Sequence, residues 1–98
     1  MVIAVLPNLD KRGAPEVVEK LGLILKKENI RAYLPDSICA TDFFHAPEEQ
    51  LYSLADVIIT IGGDGTIMRY AKRAALDNKP VLGINAGRMG YLANIEQN

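Results

Sequence analysis

The 98-residue chain has a single cysteine, a single histidine, almost no net charge and no long apolar run, and each shortage excludes something. One thiol, Cys39, cannot form an internal disulfide framework, which points to a reducing compartment. It reads as an inert thiol near a loop, not as a reactive one. One imidazole, His45, cannot assemble a Cys/His metal cluster, and a lone histidine in a loop is ordinarily solvated. A formal charge of −1 leaves no electrostatic footprint for nucleic acid or an anionic membrane surface. No apolar run approaches the roughly 20 residues that a membrane-spanning helix needs. The opening Met1-Val2-Ile3-Ala4-Val5-Leu6 lacks a basic lead and a cleavage site, and reads as a strand and not as a signal peptide. Repeats, linkers and low-complexity segments are missing too. The expectation is one small cytoplasmic domain without nucleic-acid or membrane partners. Its 49% apolar and 23% charged residues are an ordinary globular balance.

What the chain does have is concentrated in Ile58-Ile59-Thr60-Ile61-Gly62-Gly63-Asp64-Gly65-Thr66-Ile67. Val57 to Ile61 is a short β-branched run of the kind buried on both faces of a sheet. It leads into three glycines around one carboxylate. Ile67, Met68, Ala71, Ala74 and Ala75 then recur at helical spacing, from about Gly65 to Leu76. A strand, a glycine turn and a helix in that order aim free N–H groups and the positive end of the helix dipole at whatever sits over the turn, which favours phosphate. A carboxylate there serves something else, as general base or metal partner. Gly-Asp-Gly alone is ordinary turn chemistry, with Asp64 or Thr66 capping the helix. Three glycines are more than one tight turn requires. The stretch lacks both the Gly-Lys-Ser/Thr ending of a P-loop and the G-x-G-x-x-G of a dinucleotide fold.

The rest of the chain supplies a frame. Val2 to Leu6 is the first strand, closed by Pro7-Asn8, and a polar connection carries Asp10, Lys11 and Arg12. Pro15 suits the first turn of a helix and Glu16 complements its dipole. Val17, Leu21, Ile24 and Leu25 mark its apolar face, and it ends near Asn29. Arg31 to Leu34 is a second strand, stopped by Pro35-Asp36. Asp42 to Pro47 shows no period and reads as a loop, followed by a helix from Pro47 to about Leu54. Asp77 to Pro80 is a turn, and Val81 to Asn85 is a fourth strand ending in another small-residue stretch, Asn85-Ala86-Gly87. Strands alternating with helices predict an α/β fold, an open, mostly parallel sheet with flanking helices. Ligands bind beyond the carboxyl ends of such strands, where both glycine stretches lie.

With both stretches in view, the sequence resembles the NAD kinases. Gly62-Gly63-Asp64-Gly65-Thr66 matches that family's GGDG motif. Leu82-Gly83-Ile84-Asn85-Ala86-Gly87-Arg88-Met89-Gly90-Tyr91-Leu92 is similar to its Gly-Ile-Asn-x-Gly-x-Leu-Gly-Phe-Leu signature, with Met89 for Leu and Tyr91 for Phe. 6-Phosphofructokinases and diacylglycerol kinases share GGDG but would continue into Pro-Gly-Thr-Ile-Asp-Asn-Asp or Pro-x-Gly-Thr-Gly-Asn-Asp, neither of which occurs. The resemblance implies a Rossmann-like domain that transfers a phosphoryl group from ATP, or from polyphosphate, to the 2′-hydroxyl of the adenosine ribose of NAD, giving NADP.

It further implies Asp64 as catalytic base, and Gly62, Gly63, Gly65, Thr66, Arg69, Asn85 and Tyr91 as the nucleotide-binding set. Without the resemblance, Arg69 is equally a solvated helix residue, Asn85 a turn residue and Tyr91 a core aromatic. Mg²⁺ would arrive with ATP, since no cage of clustered carboxylates is present for a divalent cation. The family continues into a mainly β domain whose Asn-Glu or Asn-Asp pair binds ribose. The chain is thus expected to be the amino-terminal domain of a longer enzyme, inactive alone, and a homodimer or tetramer when intact. Alternatives are another GGDG kinase or a non-catalytic nucleotide-sensing domain.

Overall fold

A computed structural model describes residues 1–87. The element order is β1 (Val2–Pro7), α1 (Ala14–Lys27), β2 (Arg31–Pro35), β3 (Phe44–Ala46), α2 (Glu48–Leu54), β4 (Val57–Gly62), α3 (Asp64–Ala75) and β5 (Val81–Asn85). The strands form one sheet in the order β3-β2-β1-β4-β5, with every neighbouring pair parallel. This is the expected α/β fold with one strand more than expected. Phe44–Ala46, read as loop, pairs with Tyr33–Pro35 at the sheet edge. Its three residues are too few to show an alternation, and Phe44 and His45 are exposed.

The two central strands are the apolar runs. Ala4, Val5 and Leu6 in β1, and Ile58, Thr60 and Ile61 in β4, are completely shielded from solvent. Such runs fit a parallel sheet covered on both faces. Thr60 is the buried polar residue of this core, and its hydroxyl donates to the Leu6 carbonyl at 3.0 Å, so the shared burial leaves no orphaned oxygen.

Helix α1 covers one face, where Val17, Val18 and Leu25 meet Val5, Leu34, Ile59 and Ile61. Helices α2 and α3 cover the other, where Leu51, Tyr52 and Ala74 meet Ala4, Leu6 and Ile58. Gly13 immediately precedes helix α1, with a φ of 90° that only glycine adopts readily. Glu16 lies in its first turn and Lys26 and Lys27 in its last, both complementing the dipole.

The buried stripe of α1 differs from the expected one. Ala14, Val17, Val18, Gly22 and Leu25 are buried, whereas Ile24 is 57% exposed. The cause is Gly22. A Cβ there would come within 2.7 Å of the Phe43 ring, so the helix approaches the β2–β3 segment along its bare glycine and turns Ile24 outward. Helix α3 shows the same kind of difference. Ala74 is buried and Tyr70 packs against that cluster, but Met68 is 58% exposed.

Helix α3 reaches β5 by a second close approach. A Cβ on Gly83 would lie 2.6 Å from Ile67 Cγ2, a branch carbon that cannot swing clear without a rotamer change. Gly83→Val is therefore expected to destabilise the domain by about 1–3 kcal/mol, as overpacking does. Denaturant unfolding of the two proteins measures it; an unchanged midpoint would show that α3 is not seated on β5 in this way.

Candidate functional site

Strand order places the site. From β1 the chain moves through α1 to β2 on one side; from β4 it moves through α3 to β5 on the other. The connections diverge between β1 and β4, and open α/β sheets bind ligands at such a switch point, beyond the carboxyl ends. Three chain segments leave the sheet at that edge: Asn8 after β1, Gly63 after β4 and Ala86 after β5. They are stitched together. The Asn8 backbone N–H donates to the Ile61 carbonyl at 2.7 Å, and its side-chain amide donates to the Thr66 hydroxyl at 3.3 Å.

Asp64 is the first residue of α3, and its carboxylate is exposed. Gly62 stands opposite Asn85 in the β4–β5 register, which brings the side chain of Asn85 to Asp64. The Asn85 amide donates to Asp64 Oδ1 at 2.7 Å, while its own Oδ1 accepts the Gly87 N–H at 3.0 Å. The backbone donor fixes which way the amide faces, so Asn85 presents N–H and not oxygen to the carboxylate. Asp64 Oδ2 accepts no hydrogen bond from a described residue. Among the described residues one oxygen is thus held and the other is left to a ligand hydroxyl, an arrangement suited to proton abstraction.

The glycines of the motif have separate physical reasons. A Cβ on Gly62 would lie 2.9 Å from Thr66 Cβ, so the fold itself needs glycine there for α3 to turn back over β4. A Cβ on Gly63 would meet the Lys11 ammonium at 3.3 Å. A Cβ on Gly65 would meet nothing within 4 Å, and Gly65 does not have a positive φ. Among the described residues neither sterics nor backbone conformation requires glycine at 65, although glycine costs a helix about 1 kcal/mol against alanine. The space above it, free of described residues at the helix N-terminus, is where a ligand can approach the backbone.

Of the residues singled out in the sequence, Gly62, Gly63, Asp64, Gly65, Thr66 and Asn85 gather at this edge. Arg69 is grouped elsewhere. Its guanidinium lies over the Tyr70 ring, 4.9 Å from the centroid, in a cleft shared with Glu48, Glu49, Tyr52 and Arg73, and it makes no hydrogen bond to Asp64 or Asn85. Burial raises the Tyr52 hydroxyl to about 12 and raises Tyr70 as well, with Glu48 adding to both, so this cleft sets two neutral phenols among the Arg69 and Arg73 cations and the Glu48 and Glu49 carboxylates. Tyr91 and the 88–92 portion of the second motif lie outside the described residues.

Two residues at the edge were not singled out from the sequence. Asn8 ties β1 to Thr66, and its Oδ1 also accepts the Asp10 N–H at 3.0 Å. Lys11 reaches over the glycine turn. Their position directly after a central strand was the available signal, since the carboxyl end of every strand points to this edge. Beside the same loop a groove of 470 Å³ is lined by Leu9, Pro15, Val18, Ile38, Cys39 and Phe43, where the lone thiol is exposed. Among the described residues no group of three or more His, Cys, Asp or Glu side chains is placed to hold a metal ion. No described helix is long and apolar enough to cross a membrane.

The sequence profile of the family described as ATP-NAD kinase N-terminal domain matches residues 3–98. An NAD kinase of Natranaerobius thermophilus is 34% identical over 99 residues, covering 98% of this chain and 35% of that protein. One of Caldicellulosiruptor saccharolyticus is 37% identical over 93 residues, covering 94% of this chain and 32% of that protein. One of Methanopyrus kandleri is 29% identical over 96 residues, covering 98% and 35%. The chain spans about a third of the length of these relatives. With GGDG at the switch point of a parallel sheet, and a match over nearly its whole length, the chain belongs to the ATP-NAD kinase N-terminal domain family.

Proposed function

We propose that this chain supplies the base-bearing part of a kinase that moves the terminal phosphoryl group of ATP, or of polyphosphate, to the 2′-hydroxyl of the adenosine ribose of NAD. The observation that carries the reading is the Asp64 carboxylate, held by Asn85 on one oxygen and unpaired on the other among the described residues, beside a glycine that no described residue crowds. A ribose hydroxyl is a weak nucleophile. As its oxygen bonds to the γ-phosphorus, the bond from that phosphorus to the bridging oxygen breaks, ADP departs with the electron pair, and the hydroxyl proton passes to Asp64 Oδ2. Asn85 keeps the carboxylate facing the acceptor through this step. The N–H groups of Gly65 and Thr66, at the start of α3, face the phosphates.

Mg²⁺ would arrive on the phosphates of ATP; among the described residues no group of three or more His, Cys, Asp or Glu side chains is placed to hold it. There it would supply neutralisation of the phosphate charge. The remaining ribose contacts, and Tyr91, belong to the same proposal, as does a cytoplasmic setting where NAD and ATP are both abundant. The 98-residue chain is then one part of a larger catalytic unit, consistent with its spanning about a third of its relatives.

The acceptor assignment is tested with an NAD analogue lacking only the 2′-hydroxyl of the adenosine ribose. With the longest natural chain bearing these residues, the analogue is expected to compete with NAD and to take no phosphate. Phosphorylation of the analogue would place the acceptor elsewhere.

A further inference from the structure

Lys11 stands in the connection between β1 and α1, outside both glycine motifs, yet it bridges them. Its ammonium lies 3.3 Å from where a Cβ of Gly63 would be and 3.1 Å from that of Gly87, with its Cε 2.8 Å from the latter. The side chain therefore lies across two bare stretches of backbone, one after β4 and one after β5, and a Cβ at either would press on it, more tightly at Gly87 than at Gly63. Lys11 is itself partly buried there. It forms no ion pair with a described carboxylate; the ion pairs among the described residues are Lys26–Asp42 and Arg73–Asp77. Asp64, an acidic side chain of this edge, accepts from Asn85 and not from Lys11, and Asp10 beside it makes no ion pair with Lys11 either.

A long cation laid along glycine backbone gives up rotamer freedom, and here it does so without an acidic partner among the described residues. The missing partner is an anion that reaches both loops. We propose that Lys11 is a binding residue of this site and grips a phosphate chain, diphosphate or longer, lying across Gly63 and Gly87. This rests on the kinase reading above. The chain could be that of the phosphoryl donor or the diphosphate of NAD; the chemistry recognised is the same. Lysine acts here as a point charge, while the glycine N–H groups set the geometry.

The test uses the longest natural chain with Lys11→Gln and Lys11→Arg. It reads kcat, KM for ATP, KM for NAD, the unfolding midpoint, and calorimetric binding of inorganic tripolyphosphate. Loss of a charge-assisted contact is expected to raise one KM by about ten- to a hundredfold with kcat within a few-fold, and Lys11→Arg is expected to recover most of it. A rise in KM for ATP assigns the chain to the donor, and a rise in KM for NAD assigns it to the acceptor. Tripolyphosphate binding should weaken in step with a donor assignment. Unchanged KM values together with unchanged tripolyphosphate binding would overturn the proposal. So would equal losses in both variants with a lowered unfolding midpoint, which would mark a structural role. If the parent protein makes no NADP, the kinase reading fails separately, and Lys11 is then judged on the tripolyphosphate titration alone: retained binding by Lys11→Gln rejects it, and binding lost there but kept by Lys11→Arg supports it.

Discussion

Asp64→Asn is expected to lower NADP formation by roughly 10²- to 10⁴-fold, the usual contribution of a positioned general base. The substitution keeps the size and shape of the side chain. Its amide oxygen can still accept the Asn85 N–H that Asp64 Oδ1 accepts at 2.7 Å, so the β4–α3 turn should keep its geometry. What is lost is an oxygen able to take a proton. The unfolding midpoint and the KM for NAD should therefore change little while kcat collapses, the signature of an interaction needed in the transition state alone. A parallel fall in stability would mean instead that Asp64 serves the fold as a helix-terminal residue, and that its carboxylate is not the base.

Gly65→Ala has the opposite signature for the fold. No described residue lies within 4 Å of the added methyl, and Gly65 has no positive φ for alanine to strain. Alanine also restricts the unfolded chain and favours the helix, so stability should hold or rise by about 0.5–1 kcal/mol. Activity should fall by tenfold or more, because the methyl occupies the space through which phosphate would approach the backbone, and displacements of an ångström are costly to phosphoryl transfer. Gly62 provides the internal comparison. A Cβ there would stand 2.9 Å from Thr66 Cβ, so alanine at 62 should damage fold and activity together. One motif thus holds a glycine for packing and a glycine for a ligand, and only the joint measurement of stability and rate separates them.

The frame of this domain was legible because parallel strands buried on both faces leave unmistakable apolar runs, as in Val2–Leu6 and Val57–Ile61. The sheet edge where the glycine stretches meet was legible for the same reason, since alternation of strand and helix fixes which ends converge. Details that depend on partners were not. Ile24 was assigned to the buried face of α1 by its spacing, but the bare surface of Gly22 against Phe43 rotates that face away. Phe44–Ala46 carries no period of its own and becomes a strand only because Tyr33–Pro35 offers it a ladder. The hydrogen bond between Asn85 and Asp64 spans 21 positions in sequence and follows from the Gly62–Asn85 register, which no local pattern encodes. Lys11 and Asn8 sit in a polar connection that looks like any other until the sheet brings it over the glycine turn.

The most direct test is NADP formation from NAD, ATP and Mg²⁺ by the longest natural chain that carries these residues, followed with a dehydrogenase that accepts only NADP. The account predicts steady NADP production that requires both substrates. Consumption of ATP with a sugar phosphate or diacylglycerol as acceptor, and none with NAD, would contradict it: the GGDG turn would then serve a different kinase.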